Sequence, residues 1–70
     1  MSANGQHLGF RQRVILQLMA EGFTDQRIGS MLGLQKKTIS KLAAREIYRK
    51  LGARHRAHAV AIALRAGLIR

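Results

Sequence analysis

Seventy residues without a cysteine make one small domain that must hold together by packing alone, with no disulfide and no thiolate-bound zinc. Thirteen Lys and Arg against three Asp and Glu leave a net charge of +10, a self-repelling surface that suits a negative partner: nucleic acid first, an anionic membrane second. With 47% apolar residues, no proline, one Tyr and two Phe, no apolar run near the ~20 residues of a bilayer span and no signal-peptide pattern, the composition points to an all-α protein of the cytoplasm.

Residues 1–7 are small and polar, without periodicity, and are expected to form a disordered tail. Gly22, Gly33, Gly52 and Gly67 then punctuate the chain where left-handed residues would close helices. The first helix, FRQRVILQLMAE, places Ile15, Leu18 and Met19 on one side, flanked by Phe10 and Val14, with Gly9 as a tolerable N-cap. The second, TDQRIGSML, opens on Thr24 as N-cap with Asp25 in its first turn, where a carboxylate suits the dipole. Ile28, Met31 and Leu32 form its buried stripe. Gly33, Leu34 and a residue or two then lead into a third helix. Helices joined so tightly make a helix-turn-helix, whose second member can enter a DNA major groove. A generic helical hairpin is the plainer reading of the same feature.

The third helix, about 36–51, has two distinct sides. At about 100° per residue, Ile39, Ala43, Ile47 and Leu51 form a ladder toward the core, while Lys37, Thr38, Lys41, Arg45, Tyr48 and Arg49 face outward. Glu46 falls near the buried edge, which leaves the outward side cationic throughout. A merely solvated helix mixes signs to gain i, i+4 pairs; a one-signed side suits phosphates and base edges. A fourth helix, from about His55 to Ala66, is expected to close the core with Ala57, Val60, Ala61 and Leu64. Its other side, Ala59, Ile62, Ala63 and Ala66, is expected to pair with a second copy in a homodimer.

From Leu8 to Ile69 the chain resembles the LuxR/GerE-type DNA-binding domain. The resemblance rests on Ala20-Glu21-Gly22, Thr24, Ile28, Leu32, Leu34, Thr38-Ile39, IYRKLGA at 47–53, Arg56, Ala59-Val60 and AGLI at 66–69, taken in order. It implies a four-helix helix-turn-helix domain at 8–70, a third helix that reads the major groove, a fourth that dimerises, and a role in transcription control at the nucleoid. A LuxR-type regulator or RNA polymerase would be further partners. The chain departs from the family pattern at Gly9, where the family has a threonine, at Gln12 in place of a glutamate, and at Gln35 in place of a capping serine. It also has one extra residue between Leu34 and Gly52. Counted from the amino side, the family's threonine-valine-lysine falls on Thr38, Ile39 and Ser40; counted back from Lys50-Leu51-Gly52, its lysine falls on Lys41 and a later base-contacting position on Arg45. The helical wheel favours the second register, so the extra residue is expected at the helix start.

The roles then follow from direction and chemistry. Lys41 and Arg45 reach base edges, arginine being suited to a bidentate contact with guanine. Lys36, Lys37 and Thr38 hold phosphates near the helix start, where free amides and the dipole assist. Tyr48 and Arg49 meet the DNA backbone further along, and Arg27 and Arg54 act as additional clamps. No nucleophile, carboxylate pair, P-loop or dinucleotide fingerprint indicates catalysis or a cofactor. His55 and His58 lack the further ligands a metal needs, and His7 lies in the tail. Two rivals remain. One is a small antagonist that heterodimerises with a full-length LuxR-type regulator through helix four and blocks its DNA binding. The other is a cationic membrane-surface peptide, which would want tryptophan and would not need glycine punctuation. The chain begins with methionine and shows no sensory or receiver region, which fits a stand-alone regulator or an excised effector fragment.

Overall fold

The computed structural model describes residues 8–70, so the tail expected at 1–7 lies outside the described residues. Four helical units follow one another: α1 Phe10–Ala20, α2 Asp25–Leu32, α3 over residues 36–51, and α4 Arg56–Arg65; there is no strand among the described residues. The all-α, four-helix expectation holds. Within α3, however, α-helical Lys36–Leu42 leads into a π-helical stretch, Ala43–Tyr48, before a last α-helical turn, Arg49–Leu51.

Local chemistry sets the ends. Gly9 has no side chain to offer α1, but its own N–H donates to Oε1 of Gln12 at 2.9 Å, the returning half of a capping box. Thr24 caps α2 by accepting the N–H of Arg27 at 3.1 Å. The turn into α3 needs glycine twice. Gly33 closes α2 at φ +74, a left-handed conformation that costs other residues energy. Gly29, buried inside α2, lets the turn pass close by: the Leu34 N–H donates to the Gly29 carbonyl at 2.7 Å, and a Cβ at 29 would run into the Leu34 carbonyl oxygen. Because the turn packs on the Gly29 side, the buried arc of α2 is centred away from Met31. Met31 is exposed rather than part of the stripe, while Ile28 is fully buried.

Ile15, Leu16, Ile28, Ile39 and Ile47 form the fully buried centre, closed at the chain ends by Leu8 and Ile69. Phe10, at the first position of α1, points away from this centre and is 84% exposed. Most of α4 is turned the other way from expectation, although Val60 packs against the core as expected. Ala59 and Ala63 are fully buried, with Ile62 packed beside them, whereas Ala57 and Leu64 are exposed. The isoleucines on α1, α2 and α3 already fill the centre, and the methyl side chains of Ala59 and Ala63 let α4 approach to close-packed distance.

The π stretch explains how the ladder on α3 stays buried along its whole length. In an uninterrupted α-helix, i, i+4 steps drift by about 40° each, so Leu51 would lie about 120° around from Ile39. An i→i+5 turn takes up one extra residue and sets the phase back by about 100°, to within about 20° of alignment. Ile39, Ala43, Ile47 and Leu51 are all buried. The extra residue between Leu34 and Gly52 is thus absorbed in the middle of the helix and not at its start. Deleting Ala44, which is exposed within the π stretch, restores a regular helix with the same residues inward. That variant should melt within a few degrees of the parent by circular dichroism, whereas inserting a second alanine after Ala44 should abolish the cooperative transition.

Candidate nucleic-acid interface

The exposed side of α3 carries Lys36, Lys37, Thr38, Lys41, Arg45 and Arg49. Thr38, Lys41 and Arg45 come together along one open groove that Leu42 and Glu46 complete. Gln35 makes no side-chain cap bond at the start of α3, in keeping with its weak capping ability. Arg27 is exposed on α2 beside a polar groove lined also by Thr24, Gln26 and Ser30. Arg54 is exposed in the α3–α4 turn, where its N–H donates to Nδ1 of His58 at 3.1 Å. His55 caps α4 by accepting the His58 N–H on Nδ1 at 3.3 Å. Both histidines therefore serve backbone groups.

Two residues sit differently from expectation, and the π stretch is the cause. Setting the phase back by one residue turns Tyr48 from the outward side to the flank and Glu46 from the buried edge to the surface. Tyr48 is half-buried and donates its hydroxyl to Sδ of Met19 at 3.9 Å, so it does not extend outward as a backbone contact. Burial raises its pKa above the usual tyrosine value, the nearby Asp25 carboxylate raises it further, and Arg56 opposes both. Glu46 is exposed, and its Oε1 accepts from Nε2 of Gln12 at 2.6 Å. Gln12 in turn accepts the Lys50 ammonium on Oε1 at 3.0 Å. The outward side of α3 therefore carries one carboxylate, held from α1, among its cations.

The side chains that orient α3 were not distinguishable in the sequence. Arg56, at the first position of α4, donates through Nη2 to the carbonyl of Met19 at 3.1 Å and to the carbonyl of Phe23. Its Nη1 meets Oδ1 of Asp25 at 3.4 Å. The other oxygen of Asp25 accepts the Ser40 hydroxyl at 2.8 Å. One guanidinium and one carboxylate thereby join the α1–α2 turn, α2, α3 and α4. Ser40 is a structural tie and not an outward lysine equivalent. Of the residues expected at a dimer contact, Ala59 and Ala63 are spent on the core and Ile62 is packed against it; only Ala66 is exposed.

Two helices joined by Gly33, Leu34 and Gln35, the second with an exposed cationic side, define a helix-turn-helix domain of the DNA-binding kind. The family model for bacterial regulatory proteins of the luxR family matches residues 6–63, and the chain belongs to that family. It is a DNA-binding domain of transcription regulators. No curated relative and no solved structure matches the chain at significant similarity. Among the described residues no helix is long and apolar enough to cross a membrane.

Two outcomes follow from the clamp and its neighbour. Arg56→Lys keeps the charge but cannot serve three acceptors as a planar fork, so denaturant unfolding should show a loss of about 2 kcal/mol. Tyr48, the chain's single tyrosine, should ionise above the usual value near 10 by ultraviolet titration. A folded pKa raised above the unfolded one contributes stability that is complete below the unfolded pKa and lost as pH climbs through the folded one. Melting temperature should accordingly fall in strongly alkaline solution, and Tyr48→Phe should remove that part of the fall.

Proposed function

We propose that this protein binds double-stranded DNA sequence-specifically and controls transcription, with α3 in the major groove and two copies paired through α4. The observation that carries this reading is the exposure of Thr38, Lys41 and Arg45 along one groove, on the side of α3 opposite its buried ladder. Lys41 and Arg45 are assigned to base edges, where a bidentate arginine selects guanine. Lys36, Lys37 and Thr38 are assigned to phosphates, with Arg49, Arg27 and Arg54 as further phosphate contacts. Pairing through α4 would use its outward side, Ala57, Ala61 and Leu64, since Ala59 and Ala63 lie in the core and Val60 and Ile62 pack against it. The site of action is then the nucleoid in the cytoplasm, with RNA polymerase as a further protein partner.

The 47% exposure of Leu64 also favours the antagonist reading, in which the same side of α4 captures a LuxR-type regulator. That reading makes no demand on the cationic side of α3. Selection of bound sites from random duplex at two salt concentrations separates the two. Sequence-specific binding should return an inverted repeat with half-sites about one helical turn apart. Arg45→Ala should weaken the selected site by about 1–3 kcal/mol and relax one position, while Lys37→Ala should weaken all sequences alike and reduce the salt slope. Salt-sensitive binding with no preferred sequence would overturn the specific-binding reading.

A further inference from the structure

The carboxylate on the outward side of α3 has no use in phosphate binding. Near a polyanion it is repelled, and a helix selected only for charge would not keep it there. Yet the fold carries Glu46 to that side and fixes it. The π stretch Ala43–Tyr48 rotates position 46 out of the buried phase, and Glu46 shares a groove with Thr38, Lys41 and Arg45. Gln12 of α1 holds one carboxylate oxygen at 2.6 Å, and Gln12 is itself fixed by the Gly9 N–H at 2.9 Å and the Lys50 ammonium at 3.0 Å. A side chain anchored through Oε1 has its remaining lone pairs directed by its neighbours, which is the preorganisation a reading group needs.

We propose that Glu46 is a base-selecting residue of α3, accepting a hydrogen bond from the exocyclic amino group of cytosine in the major groove. This deepens the DNA-reading function above and depends on it. Cytosine is the base indicated because its N4 amino group donates where a carboxylate accepts, whereas guanine and thymine present acceptors there and adenine sets its N6 donor beside the N7 acceptor, which a carboxylate repels. Arg45, adjacent in the chain and on the same groove, has the complementary preference for guanine. Cation and carboxylate side by side can therefore read neighbouring positions of opposite hydrogen-bonding polarity, which Lys41 and Arg45 alone cannot do.

The test is selection from random duplex with the parent chain, Glu46→Gln and Glu46→Ala, together with a thermal melt of each variant. Both substitutions are at an exposed position and should leave the melt nearly unchanged. The parent should enrich cytosine at one half-site position. In Glu46→Ala that preference should fall on the order of tenfold, with the other positions retained, and in Glu46→Gln it should move toward adenine. A parent that selects a clear site, with variants that select the same site in the same proportions, overturns this proposal and leaves the DNA-reading function standing. Variants that bind every sequence more tightly by one common factor also overturn it, since Glu46 then acts on phosphates alone. A parent with no preferred sequence overturns both.

Discussion

One helix in this fold serves the core and the surface at once, and its rotational phase is the constraint on which the rest depends. α3 spans 36–51, long enough for an i, i+4 ladder in a regular α-helix to drift about a third of the way around the axis. Such a helix could bury Ile39 or Leu51 but not both on one side. The π stretch removes the drift in a single step. Its consequence reaches the surface, because every outward residue beyond the stretch is re-aimed by the same rotation that re-aligns the core. Arg49 and Glu46 turn outward and Tyr48 turns to the flank. Packing and recognition are coupled through one angle.

The Arg56 clamp holds that angle relative to the other helices. Its acceptors are two carbonyls at the α1–α2 turn and the carboxylate of Asp25, which also takes the Ser40 hydroxyl. An exposed ion pair of this kind would contribute little by itself. Here the charge also answers the main-chain carbonyls of Met19 and Phe23, and charge-assisted bonds to such groups are stronger than neutral ones. The side chains of Arg56 and Asp25 are 35% and 25% exposed. The pair thus avoids the full desolvation of a buried salt bridge while fixing α2, α3 and α4 around one point. Tyr48 packs close enough to feel both charges, so the turned-in tyrosine and the clamp belong to one polar seam beneath the outward side of α3.

Much of this was legible in the sequence because it depends on neighbours in the chain. Helix ends at Gly22, Gly33, Gly52 and Gly67, the Thr24 cap, the ladder on α3 and the outward lysines and arginines follow from local periodicity and capping. What was not legible depends on packing between helices. The wheel assumes a uniform 100° per residue, so it placed Tyr48 and Glu46 wrongly once a π turn intervened. It also gave α4 two apolar sides and assigned the core the wrong one; the volume already filled by isoleucines decided for Ala59 and Ala63. Gly29 carried a readable signal, a glycine inside a helical stretch, which usually marks close backbone approach or packing. Arg56 entered only through the family resemblance, with no sign of its role, since its partners, two main-chain carbonyls and Asp25, lie more than thirty residues away.

Charge and association also bear on each other in the proposed reading. A copy with +10 repels a second copy, and the side of α4 left for pairing consists of Ala57, Ala61 and Leu64. At about 25 cal/mol per Å², so few and such small side chains gain only a few kcal/mol, which the loss of rigid-body freedom on association largely cancels. Duplex DNA changes both terms together. Its phosphates neutralise the cations that oppose approach, and a two-fold repeat holds the copies at high effective concentration. The small apolar contact that is too weak between free, like-charged domains becomes sufficient between domains already seated on adjacent half-sites. Pairing on this account is a property of the DNA complex, and its strength should follow the same salt dependence as the phosphate contacts themselves.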